Sequence, residues 1–285
     1  AASNRPLNAI VVGGSSGMGF GAAQSFVSRG GRVLLCSRSL DKLTAAKERL
    51  EKEPGACKGA VAVEALDNTD EEQVKALFAT LEEGSYDALV VTALGRAPHG
   101  AFLELDVGKA RQAMEGKLFG PWYCAKYAAP KLCDGGAIVF CSGVLCRRPG
   151  VNCTPLAAGN GAVEALTKAL SLELGPRLRV NCFSPGYFDT ERYDHLPAEK
   201  KATMLEATAD SLPLKKVGSP SEAGEAMYFL SSSSFTTGVV LDVDGGHQLR
   251  QYSYPNDVYL MLKRKREEEG RETGEGSRAS KSSKH

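Results

Sequence analysis

The residues of this 285-residue chain best suited to chemistry begin with a glycine turn, Gly13-Gly14-Ser15-Ser16-Gly17-Met18-Gly19, and a cation after the next apolar run, Leu35-Cys36-Ser37-Arg38. The turn directly follows the β-branched run Ile10-Val11-Val12 and opens a helical pattern, the context that gives such a glycine spacing its meaning. There Gly13 permits a tight turn, Gly17 lets backbone approach a pyrophosphate, and Gly19 allows close packing of helix on strand. Ser15, Ser16 and Met18 fill the same turn, where free N–H groups and the positive end of the helix dipole hold an anion. No carboxylate stands between the second run and Asp41, so the acid that usually grips an unphosphorylated adenine ribose is missing. Arg38 with Ser37 suits a 2′-phosphate instead, which makes NADP(H) the expected dinucleotide; the alternative is an Arg38 that simply stands exposed ahead of the next helix.

Positioning these groups requires a sheet. Short apolar runs at 10–12, 32–36, 60–65, 88–91, 137–141, 180–183 and 239–243 alternate with amphipathic stretches near 17–30, 40–52, 70–82, 106–131, 155–174 and 219–231. Parallel neighbours need crossover connections, so the alternation predicts an α/β fold: a doubly wound parallel sheet, of Rossmann type, in a single domain over 1–250. Pro185, Gly186, Pro197 and Pro213 break the rhythm around a polar helical patch, which fits a loop-helix lid at about 187–218 over the carboxyl ends of the strands; an ordinary long surface insertion would look the same. Beyond it, the aromatic stretch 251–262 is expected to pack on the domain or on a protein partner. The charge-dense tail 263–285 buries too little apolar surface to offset chain entropy and is expected to be disordered. Its Lys263-Arg264-Lys265-Arg266 run reads first as a solvated face rather than an import signal.

A net charge of +1 marks no nucleic-acid binder, and no apolar stretch approaches the roughly 20 residues of a membrane span. The start lacks the charged and apolar regions of a secretory signal. Eight cysteines without a close two-residue-spaced pair and four scattered histidines argue for no metal site and for a reducing compartment, cytoplasm or organelle.

The glycine turn, together with Ser184-Pro185-Gly186-Tyr187-Phe188-Asp189-Thr190 and Leu241-Asp242-Val243-Asp244-Gly245-Gly246, resembles the classical short-chain dehydrogenase/reductase family over about residues 8–249. The resemblance implies that Asp67, with Asn68 beside it, contacts the adenine. Backbone at Pro185, Gly186 and Phe188 would meet the nicotinamide, and Thr190 the phosphates. Where the family shows Asn-Asn-Ala-Gly, this chain has Thr92-Ala93-Leu94-Gly95, and only Gly95 matches. A carbonyl or alcohol substrate and a homodimer or homotetramer packed through the helices at 106–131 and 155–174 follow from the same resemblance.

Family chemistry uses a Tyr to donate the proton, a Lys to tune it, a Ser to polarise the carbonyl and an Asn to anchor water. At those four positions this chain has Leu156, Asn160, Gly143 and Lys117. Leu156 has no proton to give. Lys117 for Asn and Asn160 for Lys reads as an exchange of two side chains across one volume between adjacent helices; alternatively Lys117 points to solvent and Asn160 caps local backbone. Ser142 lies one residue from the Ser position and reaches the site only if the strand end is irregular. Tyr187, Tyr193 or a buried Lys117 of depressed pKa are the remaining candidate acids. Two functions stay open: a divergent oxidoreductase with altered active-site wiring, and a cofactor-binding sensor or accessory subunit without turnover.

Overall fold

A computed structural model describes residues 5–93, 95 and 97–249. Seven parallel strands, β1 (Ala9–Val12), β2 (Val33–Ser37), β3 (Val61–Ala65), β4 (Tyr86–Val91), β5 (Leu132–Cys141), β6 (Arg179–Pro185) and β7 (Val240–Val243), form one sheet in the order β3-β2-β1-β4-β5-β6-β7. All seven predicted strands are present. The compact unit runs to Gln248, and the expected segments 251–262 and 263–285 lie outside the described residues.

The helices are α1 (Gly17–Val27), α2 (Leu40–Leu50), α3 (Glu71–Ala79), α4 (Val107–Met114), α5 (Gly120–Ala128), α6 (Thr154–Glu173), α7 (Ala198–Ser211) and α8 (Pro220–Ser232). Central strands carry unbroken apolar runs because both faces are covered: Ala9, Val11, Val90 and Val139 pack with α1, α2 and α8, while Ile10, Leu89, Ile138 and Phe140 pack with α3, α5 and α6. Each such aliphatic or aromatic side chain contributes roughly 1.5–3 kcal/mol by leaving water.

Several helices start on their own caps. Ser39 accepts from the Lys42 N–H, Asp70 from those of Glu72 and Gln73, and Ser219 with Glu222 forms a reciprocal box. α1 differs: Ser16 holds the N-cap position but its side chain makes no capping bond, which leaves the helix N–H groups for another acceptor. Strand order reverses between β1 and β4, and the crevice at their carboxyl ends is where open α/β sheets take ligands.

The expected 106–131 helix runs without a gap from Val107 to Ala128, but its middle is not α-helical. Between α4 and α5 lies a π-helical turn, Glu115–Phe119, followed by a 3-10 turn after Ala128. A single π-turn is one inserted residue, too short a departure for the hydrophobic period of the whole segment to locate. The lid segment holds a 3-10 turn, Glu191–Tyr193, and α7, which supplies the polar helical patch.

Candidate active site

At the carboxyl end of β1 the turn needs its glycines. Gly13 has φ +92° and Gly17 φ +55°, and a Cβ at Gly19 would lie 2.2 Å from the Gly13 carbonyl oxygen. Thr92, just past β4, ties the neighbouring strand to this turn, its hydroxyl donating to the Val12 carbonyl at 3.3 Å. Sequence comparison at 92–95 pointed to Gly95 alone; a Thr replacing Asn still supplies a donor. Gly95 is exposed, and its N lies 2.9 Å from where a Cβ on Gly116 would stand, so the π-turn crosses close to this loop.

The acceptor that meets the uncapped helix is Glu191. Its Oε2 takes the Gly17 N–H at 2.8 Å, and Thr190 packs on the same glycine. A carboxylate thus stands where a helix N-terminus would hold a phosphate. No sequence signal marked Glu191, which is 174 residues away along the chain.

Two polar atoms in this cleft are buried without a partner: the Ser37 hydroxyl at the end of β2 and the Asn68 amide nitrogen after β3. Arg38 is exposed with no hydrogen bond or ion pair to the described residues. Asp67 accepts from the N–H and hydroxyl of Thr69, which fixes the loop. Ser15, Ser16 and Met18 sit in the turn itself, and Pro185 and Gly186 lie at the end of β6. Phe188 buries its ring against Phe183 and Gly218, and its chain neighbours Tyr187 and Asp189 bond the Gly218 backbone. An uncapped helix, a glycine cradle, orphaned donors and an unpaired Arg38 fit a dinucleotide with a phosphorylated ribose.

Lys117 and Asn160 both lie buried against the backbone at the end of β5, Lys117 at Cys141 and Ser142 and Asn160 at Gly143. The π-turn carries Lys117 inward until only 5% of it is exposed, which excludes the solvent-facing alternative. Its Nζ donates to the carbonyls of Cys141 at 3.0 Å and Ser142 at 2.8 Å, leaving the third N–H without a partner among the described residues. From α6, Gly159 lets the Lys117 stem pass: a Cβ there would be 2.8 Å from Lys117 Cγ. Asn160 is 2% exposed, its amide lies against Gly143, and its Oδ1 has no hydrogen-bond partner.

Burial pushes the Lys117 ammonium below its ordinary pKa, and the Arg192 guanidinium pushes the same way. No carboxylate opposes them. The nearby thiols of Cys141 and Cys182 are themselves held protonated by burial, Cys182 up to about 12, so they bring no countercharge at neutral pH.

Ser142 does not join this pair. Its hydroxyl donates to Glu164 at 3.0 Å, as does the Cys146 thiol at 3.0 Å, and Glu164 is ion-paired to Arg147. Arg147 also pairs with Asp242 and donates to Ser184 at 2.8 Å, so one network clamps β5, α6, β6 and β7 beneath the site. Ser142 lies just past the end of β5, and its hydroxyl is engaged by Glu164.

Leu156 is half-buried on the first turn of α6. The Tyr187 ring packs against His247 with centroids 5.5 Å apart, and lines a cleft with Leu212, Leu214 and Asp244 that includes neither Lys117 nor the glycine turn. Tyr193 is half-buried on the lid, and burial raises its phenol pKa. All eight cysteines are free thiols. Among the described residues no cluster could hold a metal, and no helix is long and apolar enough to cross a membrane.

A lysine depressed by burial makes a stability prediction. Between its folded pKa and the ordinary lysine value of 10.5 the unfolded chain binds more protons, so stability rises with pH across that window. Urea unfolding of wild type should therefore gain stability with pH, relative to Lys117→Met, across the window that closes at the ordinary lysine value of 10.5. Identical slopes in the two proteins would contradict the buried ammonium.

Residues 12–248 match the family model described as enoyl-(acyl carrier protein) reductase. An L-fucose dehydrogenase from Oryctolagus cuniculus is 36% identical over 89% of this chain and 88% of its own length. A crystal structure of a small-chain dehydrogenase in complex with NADPH superposes with TM-score 0.70 at 34% identity, covering 86% of this chain and 100% of that one. An NADPH-bound short chain oxidoreductase from Pseudomonas aeruginosa, described as containing an atypical catalytic center, gives TM-score 0.75 at 27% identity over 87% of this chain and 98% of that one.

Proposed function

The chain belongs to the short-chain dehydrogenase/reductase family, and on that premise we propose that it is an NADP(H)-dependent carbonyl reductase or alcohol dehydrogenase whose proton is handled by Lys117 in place of the family's tyrosine. The observation that carries this reading is the buried Lys117 ammonium, held on the Cys141 and Ser142 carbonyls with its third N–H uncommitted, beside the unpartnered Asn160 Oδ1. Leu156 cannot serve as acid or base, so the site needs another ionisable group, and a lysine depressed by burial titrates nearer the working pH, where general acid catalysis is most effective. NADP(H), when bound, supplies or accepts the hydride.

This chain's residues do the rest. In reduction, Lys117 gives a proton to the carbonyl oxygen and is left as a neutral amine, which the buried setting tolerates better than the ion. The freed Lys117 takes its next proton from solvent. Asn160 Oδ1 would accept from a hydroxyl of the ribose or of the alcohol product, and Ser37 with Arg38 would hold the 2′-phosphate while Asn68 and Asp67 meet the adenine side. Relatives named as dehydrogenases and a neighbour with an atypical catalytic center support turnover by altered wiring. No observation favours the sensor or accessory-subunit alternative.

The test is NADPH oxidation against a panel of ketones and aldehydes. With it, Arg38→Ala should weaken NADPH binding about tenfold to a hundredfold and leave NADH binding nearly unchanged. Equal weakening of both would remove Arg38 from the 2′-phosphate and favour NAD(H). Exposed Phe119 at the end of the π-turn, Trp122 on α5 and Leu172 on α6 support a homo-oligomer joined through these helices, whose mass light scattering would read.

A further inference from the structure

The acid at the start of α1 is held there by its own segment. Thr190 is extended, with φ −140° and ψ 167°, and opens the 3-10 turn Glu191–Tyr193. Lys201 of α7 brackets that turn, pairing with Asp189 at 3.0 Å on one side and Asp194 at 2.9 Å on the other, while the Asp189 N–H donates to the Gly218 carbonyl at 2.9 Å. Glu191 is the remaining carboxylate of 189–194, and its Oε2 takes the Gly17 N–H at 2.8 Å. A Cβ on Gly17 would lie 3.3 Å from Thr190 Cβ and 3.6 Å from that carboxylate oxygen, so the two side chains together cover the glycine.

Ser39, Asp70 and Ser219 cap their own helices, whereas Ser16 holds the N-cap of α1 without a side-chain bond. The first N–H groups of such a helix are open to an anion. A carboxylate and a phosphate carry the same sign, so they cannot share one N–H without repulsion and a weakened hydrogen bond. Gly17 is also the residue whose missing side chain lets the turn approach a pyrophosphate. Glu191 therefore holds the atoms that a dinucleotide needs, and must leave before the phosphates can settle.

Resting on the dinucleotide part of the reading above, we propose that Glu191 is a built-in competitor of the cofactor: the turn closes its carboxylate on Gly17, and NADP(H) binds only the fraction of molecules in which that turn has swung away. Apparent affinity is then the intrinsic affinity scaled by the open fraction, so removing the latch tightens binding. Closure after turnover returns the carboxylate to the N–H that the departing phosphate gives up, which ties cofactor exchange to movement of the lid.

The experiment titrates NADPH by fluorescence, and follows its association and dissociation by stopped flow, in wild type, Glu191→Ala and Glu191→Gln at one fixed ionic strength. Glu191→Ala should bind about tenfold tighter, with the gain in the association rate, and Glu191→Gln, which keeps the shape and loses the charge, should gain less. Without cofactor, exchange of the Gly17 amide hydrogen, read by NMR, should quicken about tenfold in Glu191→Ala. Equal or weaker NADPH binding in Glu191→Ala overturns the proposal. So does a gain carried by slower dissociation alone, which would mean that Glu191 repels a bound phosphate without covering its place, and so does a Gly17 amide that exchanges alike in both proteins. The two readings fail in different ways. NADPH binding that ignores Glu191 removes the latch and leaves the cofactor site standing. No binding of NADPH or NADH by wild type or by Glu191→Ala removes the dinucleotide reading, and the competition with it, even where Gly17 exchange depends on Glu191.

Discussion

Lys117→Met is expected to lower kcat/KM for carbonyl reduction by about a thousandfold or more, the range lost when a general acid is removed. Methionine fills a similar volume and places no charge between the π-turn and α6, so the pocket keeps its shape while its proton donor is gone. Lys117→Arg sharpens the result. A guanidinium keeps the positive charge but does not give up a proton in the accessible pH range, so it should be nearly as inactive as methionine. If charge alone were required, arginine would retain much of the rate. Tyr193→Phe serves as the competing variant: its half-buried phenol, in the 3-10 turn Glu191–Tyr193, stays protonated at neutral pH, and its loss should change turnover by only severalfold. Steady-state kinetics of the three variants, with NADPH binding measured separately, decides among these outcomes.

Gly19→Ala is expected to reduce NADPH affinity by about a hundredfold or more. The added Cβ would stand 2.2 Å from the Gly13 carbonyl oxygen and 2.4 Å from the Thr92 hydroxyl, both fixed by the strand ends. The turn must open to admit the methyl, and the N–H groups that would grip a pyrophosphate move with it. Gly100→Ala is the control, because its nearest neighbour is the Leu105 side chain at 3.5 Å and nothing need shift. Calorimetric or fluorescence titration reads both. Unaltered affinity in Gly19→Ala would mean that the cofactor does not use this turn.

Much of this molecule is visible in local sequence pattern. The seven strands appear because apolar runs buried on both faces are hard to mistake when turn residues flank them, and the glycine turn because its φ values and close contacts leave few residues a choice. The Lys117 and Asn160 positions were legible as a pair, and both prove buried at the end of β5. What brings Lys117 there was not legible. A one-residue π insertion is too local for the period of 106–131 to locate, and it turns Lys117 inward within an otherwise unbroken helical run. The Ser142–Glu164–Arg147–Asp242 network was also hidden, since its members come from β5, α6 and β7 and meet only through the fold. Glu191 looks like an ordinary solvated charge in a polar segment, and only the fold shows that it takes the N–H at the start of α1.

The claim on which the account turns is that Lys117 delivers the proton, and the pH dependence of kcat/KM for NADPH-driven carbonyl reduction tests it most directly. Around Lys117 the ionisable neighbours are Arg192, which stays charged, and Cys141, Cys146 and Cys182, whose thiols burial holds protonated. The account predicts that kcat/KM is level at low pH and falls as pH rises through a single pKa below the 10.5 of an ordinary lysine, a fall absent from the residual rate of Lys117→Met. A wild-type rate that holds level to about pH 10, or a fall that persists in Lys117→Met and vanishes in Tyr193→Phe, would contradict it.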